Sequence, residues 1–306
     1  TRNNSCGNAI GRQWNDGGGR LRIYSLALKM NGSTLEGWFL SNFNDRRIIY
    51  LNNLEVDATI GGRVVPGKTY NNVFGDGTAD YARVKPAFNS TYVYEPLGIY
   101  SDNSTLLVSD RRNYKIGTLD LTTSNGDVGD LFDSIQHGGY DGEVSKNLNE
   151  VRLNRPESMS YKTSSNELYF HDDLNYRIRK VNLTTGLLTT AAGRGQSGGA
   201  NTTPEDLFQA YMRNQGGLQA LESDDLIFYT DFETNNDTSD RTCVARVANL
   251  SGSNKVIFGT SVADQKISTV VGNYTFGCSS WQAGYEDTLA TQVRLYEPRG
   301  LVVLED

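Results

Sequence analysis

The 306-residue chain has no apolar run approaching the roughly 20 residues of a bilayer-spanning helix, so no membrane insertion is expected. It has no basic surplus either. Lys plus Arg total 29 against 36 Asp plus Glu, a net charge of −7, and nucleic acid is not an expected partner because phosphates are neutralised by clustered Lys and Arg. Cysteine is scarce: Cys6, Cys243 and Cys278 are the three, and no two share a C-x-x-C spacing, which disfavours a zinc ribbon. One disulfide plus a free thiol, or three buried thiols, both fit that count. The two histidines, His137 and His171, are too few for a three-histidine metal centre. No Gly-x-Ser-x-Gly elbow occurs, and the glycine-rich pieces "DGGGR" (16–20) and "GRGQSGG" (193–199) are not set between a strand and a helix as a phosphate cradle would be. No catalytic or cofactor-binding residue is assigned, and the chain is expected not to be an enzyme. Residue 1 is Thr and no signal peptide is visible, so a processed or truncated start is expected.

Glycine (32) and tyrosine (17) are abundant while proline (6) is not, the balance of short amphipathic strands joined by glycine turns. Asn-x-Ser/Thr acceptor motifs are also frequent. Nine occur, at Asn3, Asn31, Asn89, Asn103, Asn182, Asn201, Asn236, Asn249 and Asn273, where chance would give about 4 to 5 for a motif of this kind. Asn31 and Asn103 fall in the same first hairpin turn of two repeats, and Asn182 and Asn249 share a third turn where another repeat has Asp120. A glycan needs an exposed Asn, and outer hairpin turns are exposed, so N-glycosylation is expected at these positions.

The chain repeats itself. "NFNDRRI" (42–48), "DRRNYKI" (110–116) and "DDLNYRI" (172–178) share Asp/Asn-x-x-Asn/Asp-x-Arg/Lys-Ile, each after an apolar run such as "TLLVS" or "ELYFH". A fourth copy begins "LIFYTD" (226–231) and resumes, after about ten inserted residues, at "CVARVANL" (243–250). The signature residues are Asn42, Asp110, Asp172 and Asp231 with the basic Arg47, Lys115 and Arg177. The acidic residue is expected to accept backbone N–H bonds in the turn that follows, and the basic one to point outward while Ile points in. "EVRLNRPESMSY" (150–161) and "QVRLYEPRGLVVL" (292–304) form a second landmark. A closing glycine in "DATIGG" (57–62), "LLTTAAGRG" (187–195) and "ISTVVGN" (267–273) forms a third. Self-similarity of this size marks a repeat architecture, and four-stranded sheets that each bury their faces against neighbours arrange as a β-propeller. The fold class is therefore all-β, with four-stranded antiparallel blades in one propeller domain over 1–306. Repeats run approximately over 1–62, 63–130, 131–193, 194–272 and, in part, 273–306.

These residues resemble the NHL-repeat β-propeller family, whose blades carry a Leu-x-x-Pro-x-Gly start, an Asp-x-x-Asn-His-Arg-Ile core and a Thr-Gly…Val-Ala-Gly end. Residues 171–195 match closely, with Tyr176 where the family usually has histidine. The resemblance covers about four full repeats and part of a fifth, and it implies a propeller that is commonly six-bladed. It also brings up a zinc-dependent amidating lyase of similar fold, for which the histidines here do not suffice.

A lone fifth strand would leave unpaired backbone groups along its edge. Either the chain continues beyond the residues given, or its N-terminal stretch or another copy adds a strand and builds a filament. Cys6 and Cys278 sit in equivalent places before the first and fifth repeats, and Cys243–Cys278 is the alternative pairing. Calcium is the one cofactor left open, at Asp120, Asn125, Asp127 and Asp130 in "DLTTSNGDVGD", which lacks an EF-hand register. His171 reads as a strand position that tolerates polarity. The functional expectation is a non-catalytic, glycosylated extracellular module for adhesion, structure or protein interaction. Its partners would be other protein chains including its own copies, or glycans. The alternative is a propeller lyase or hydrolase with a divalent metal in its central channel.

Overall fold

The computed structural model describes residues 23–75, 77, 93–123, 128–131, 146–147, 151–197, 204–212, 214–232, 243–272, 289–293, 295–296 and 298–304, with backbone alone at 128–130, 146–147 and 214–215. Regular structure among them is strand, with short 3-10 turns and no α-helix.

Four antiparallel sheets follow in chain order. The first is β1 (Ile23–Asn31), β2 (Thr34–Asn42), β3 (Arg47–Asn52) and, beyond a small hairpin of β4 (Ala58–Ile60) and β5 (Arg63–Val65), β6 (Tyr70–Phe74). The second is β7 (Pro96–Ser101), β8 (Thr105–Asp110), β9 (Lys115–Asp120) and β10 (Val128–Asp130). The third places β11 (Lys146–Asn147) outside β15, after β12 (Pro156–Lys162), β13 (Glu167–Asp172), β14 (Arg177–Asn182) and β15 (Leu187–Ala192). The fourth comprises β16 (Glu205–Asp206), β17 (Asn214–Ala220), β18 (Leu226–Phe232), β19 (Cys243–Asn249), a hairpin of β20 (Lys255–Ile257) and β21 (Thr260–Val262), and β22 (Lys266–Val271). Each sheet is an up-and-down meander, so the protein is all-β with four-stranded antiparallel blades of the β-propeller type, as expected.

The chain divides into two compact units that part between Ser158 and Met159. In one, Phe39, Ile48, Tyr50 and Val73 of the first blade share a core with Ile99, Leu106, Val108 and Leu119 of the second. In the other, Tyr169, Ile178 and Ala192 of the third blade meet Leu218, Ile227, Tyr229 and Ala248 of the fourth. Phe228, Val247 and Val270 on the fourth blade are covered in turn by Leu301 and Val303. The middle strands β18 and β19 are buried at every position. A strand covered on both faces has no polar side to alternate with, which is why β18 opens on the unbroken apolar run "LIFY".

Several boundaries differ from the sequence expectation. The first repeat does not close at residue 62: Gly61 and Gly62 form the tip between β4 and β5, and the closing strand is β6, ending at Phe74 just before Gly75. Residues 52–75 and 249–272 correspond one to one, each holding an end-of-strand Asn, an inserted hairpin and a closing glycine. The third and fourth sheets carry a fifth, two-residue strand. Residues 301–304 are not hydrogen-bonded as a strand; they lie beside β17, where Gln219 Nε2 donates to Val303 O and Val303 N donates to Gln219 Oε1, both at 2.7 Å.

Candidate functional site

The repeat signature is a turn-building device. In the second and third blades the strand-ending Asp is followed by a three-residue 3-10 turn and then by a residue in the left-handed region, Tyr114 (φ 56°) or Tyr176 (φ 51°). Arg46 (φ 54°) takes that place in the first blade. Asp110 Oδ2 accepts from Asn113 Nδ2 at 2.6 Å and Asp172 Oδ2 from Asn175 Nδ2 at 2.9 Å, so the Asp and the Asn three residues on brace one turn. The first blade reverses the polarity, Asn42 Nδ2 donating to Asp45 Oδ2 at 2.6 Å. The acceptor role expected of these residues is joined by a bond to the side-chain amide. Asp110 also accepts backbone bonds from Asn113, inside the turn that follows it, and from Tyr94 N at 2.8 Å, ahead of the blade, and in the first blade Asp45 N donates to Asn42 Oδ1 at 3.5 Å. Burial of Asp110 pushes its carboxyl up to about 7, against the opposing pull of Lys115, Asn113 and Tyr94.

Arg177 corrects the expectation that the basic signature residue points outward. It is 3% exposed, and its Nη1 donates to Asn175 O at 2.9 Å. Arg47 and Lys115 are half-buried. The closing glycines have a packing reason: a β-carbon at Gly193 would run into Tyr176 O, and one at Gly272 into Cys243 O.

The position before the signature residue carries a second device. The first strands of three blades are bulged, with register shifts at Ile23/Leu26, Pro96/Ile99 and Gln215/Leu218. The bulge turns one N–H out of the ladder, and a hydroxyl on the second strand accepts it. Ser25 N donates to Ser41 Oγ at 2.9 Å, Gly98 N to Ser109 Oγ at 2.6 Å and Gly217 N to Thr230 Oγ1 at 2.9 Å. The third blade has His171 there, wholly buried, with neither ring nitrogen hydrogen-bonded among the described residues. Its ring meets Tyr229 edge-on at 6.1 Å between centroids, and desolvation lowers its pKa to about 3, so it stays neutral.

Two buried arginines were not singled out in the sequence. Arg179 Nη1 lies 3.6 Å from Asp172 Oδ2, and Arg246 Nη1 lies 3.6 Å from Asp231 Oδ2, with Arg246 Nη2 also 2.8 Å from Glu205 Oε1. The signature Asp residues of the third and fourth blades are therefore also counter-ions, whereas the first two blades have Ile49 and Gly117 at the arginine position. The visible signal was an Arg three residues before the strand-ending Asn in both blades, Arg179 before Asn182 and Arg246 before Asn249.

The acceptor motifs separate by environment. Asn31 and Asn103 are exposed in the first hairpin turns of their blades, and Asn103 Oδ1 accepts from Met30 N at 2.7 Å. Asn182 is half-buried, its Oδ1 accepting from Thr184 N and Thr185 N. Asn249 is a correction: it is 0% exposed, and its Nδ2 donates to both Ser253 O and Val262 O, so no hydrogen remains for a sugar bond. Asn52 does the same for the first inserted hairpin, donating to Val56 O and Val65 O. Asn3, Asn89, Asn201, Asn236 and Asn273 lie outside the described residues, as do Cys6, Cys278, His137, Asn125 and Asp127, and the Asp130 side chain. Cys243 is disulfide-bonded.

Asp120 Oδ1 accepts from the Thr122 hydroxyl and the backbone N–H groups of Thr122 and Thr123, which hold its carboxyl below the usual range. Among the described residues no group of three or more His, Cys, Asp or Glu is placed to hold a metal ion. No helix among them is long and apolar enough to cross a membrane.

No protein-family model matches the chain, and no curated protein matches it. Solved structures resemble it distantly. A crystal structure of a nidogen/laminin complex is 14% identical over 81% of this chain and 68% of that one, with a TM-score of 0.44. A structural genomics protein of unknown function from Bacteroides thetaiotaomicron is 11% identical over 90% and 64%, TM-score 0.47. An auxiliary nutrient binding protein from Bacteroides ovatus is 15% identical over 69% and 46%, TM-score 0.45. The chain spans less than two thirds of the length of these two bacterial proteins, and likenesses this distant say nothing of activity.

Proposed function

We propose that the chain is a non-catalytic, NHL-like β-propeller module of the extracellular space, glycosylated on its hairpin turns and used for adhesion or protein interaction. The observation that carries this reading is the exposure of Asn31 and Asn103, acceptor motifs at matching turns of the first two blades. The Cys243 disulfide supports an oxidising compartment. The signature polar residues are occupied in bracing turns and neutralising buried arginines, which fits a scaffold better than a reaction centre.

Assembly through strand addition at residues 298–304 belongs to the same reading. Val303 directs its backbone N–H and C=O to Gln219, and the side chains of Val302 and Leu304 on either side of it are exposed, an edge a further strand could extend. Native mass spectrometry of protein made in a eukaryotic secretory host, before and after amidase treatment, tests both parts. Sugar mass together with species larger than one chain is the expected result. Bare monomer at every concentration would remove glycosylation and self-assembly alike.

A further inference from the structure

An asparagine amide is lost where the backbone nitrogen of the next residue can reach the side-chain carbonyl carbon. The acceptor asparagines among the described residues differ in how that nitrogen is held. After Asn103, Ser104 N donates to Asp102 Oδ1 at 2.9 Å. After Asn182, Leu183 N donates to Asn166 O at 2.9 Å, and after Asn249, Leu250 N donates to Asp225 O at 2.8 Å. The three side chains are tied as well, since Asn103 Oδ1 accepts from Met30 N, Asn182 Oδ1 from Thr184 N and Asn249 Oδ1 from Ser251 N. A nitrogen in such a bond must break it before it can attack.

Asn31 has neither restraint. It ends β1 and pairs with Thr34, so Gly32 and Ser33 alone make the turn, with Gly32 at φ 56°. Glycine in the first central position of a two-residue loop is the type II′ pattern, and the ladder bonds there belong to the flanking residues. Neither the Asn31 side chain nor the Gly32 N–H makes a hydrogen bond among the described residues. Residues 31–34 are exposed, and a β-carbon at Gly32 would meet nothing within 4 Å. The attacking nitrogen is thus free, in open space, and carried by the one residue with no side chain to obstruct its approach.

We propose that Asn31 is a site of spontaneous deamidation. Gly32 N gives its proton to a solvent base and bonds to Asn31 Cγ. The Cγ–Nδ2 bond breaks, and the amide nitrogen leaves as ammonia after taking a proton from water. Water then opens the cyclic imide at one of its two carbonyls, leaving aspartate or isoaspartate with no change of oxidation state. A sugar and this reaction use the same Nδ2, so the two fates of Asn31 exclude each other. A copy that leaves its host bare at Asn31 loses that acceptor for good. The inference does not rest on the glycosylation reading, because protein that never carried sugar is its test material, so either can fail without the other.

The full chain, made in a host without N-glycosylation and held folded in mildly alkaline buffer, decides it by peptide mapping with isoaspartate-specific methyl labelling. Free peptides spanning residues 28–36 and 100–108 are incubated alongside. Asn31 should turn into a mixture of aspartate and isoaspartate about as fast in the folded chain as in its free peptide, whereas Asn103 should convert about tenfold or more slower than in its own peptide. The Asn31 rate should rise with pH, as loss of the Gly32 proton requires. The chain's other Asn-Gly pair, Asn125–Gly126, lies outside the described residues and falls on a different peptide. Asn31 left intact in the folded chain over a period that converts its free peptide, a rate indifferent to pH, or Asn103 converting in the folded chain as fast as in its peptide would each overturn the proposal.

Discussion

At the scale of single residues, polar side chains are placed to complete hydrogen bonds that the strands leave open. Ser41, Ser109 and Thr230 each take up the N–H freed by a bulge, and His171 alone in this series does not. Its pH consequence has a definite sign. The folded state keeps the ring neutral down to about 3, while the unfolded ring ionises near its ordinary 6.5. The unfolded chain therefore binds the extra proton first, and stability falls as pH drops through that window, by at most about 1.4 kcal/mol per pH unit. Asp110 acts in the opposite sense: raised from 3.8 to about 7, it favours the folded state where it is protonated and loses that benefit as pH rises through that range. His171→Ser should therefore flatten the acid limb of a urea-stability profile between pH 6.5 and 4 and leave the Asp110 trend in place. An unchanged acid limb would mean that the histidine is not held neutral. Little of this was legible beforehand. A histidine among hydroxyls was visible in the sequence, but the bulge that gives the series its meaning is a backbone event.

At the scale of elements, matching blades are held by matching amides. Asn52 and Asn249 end β3 and β19, and each ties the inserted hairpin to the end of its strand through two or more donated bonds and an accepted one from the N–H two residues on. Replacing Asn249 with Leu strands the buried Val262 carbonyl and the Ser251 N–H, while the exposed Ser253 carbonyl keeps access to Ser251 Oγ and water, a cost of about 1–3 kcal/mol. Asn182→Ala should cost less, because its turn is half-exposed and water can replace the lost acceptor. Hydrogen exchange should show protection lost over 255–262 in the Asn249 variant and kept in the other. Equal, small effects would show that the hairpin is held by Val262 and its apolar neighbours alone. The inserted hairpin explains why the first repeat was closed too early. Gly61–Gly62 imitates a closing glycine in sequence, and only the backbone shows that the strand after it returns to β3. The third blade has no insertion and its closing strand follows the Asn182 turn directly, so its strand order from Asp172 to Gly193 was legible while the burial of Arg177 and Arg179 was not.

At the scale of the molecule, the recurrence of the Asx–Arg/Lys–Ile signature was enough to establish an all-β protein of four-stranded blades, because each copy carries its own turn chemistry. Function was far less legible. A sequence motif for a glycan says nothing of burial, and Asn249 sits in the same Asn-x-Ser pattern as exposed positions while its amide is fully used inside the blade. The most direct measurement is glycopeptide mapping of the protein secreted from a eukaryotic host, site by site. Sugar on Asn31 and Asn103 with Asn249 bare is the expected pattern. Sugar on Asn249, or bare Asn31 and Asn103 in a host that modifies other acceptor sites, would contradict the burial of the one or the role given to the others.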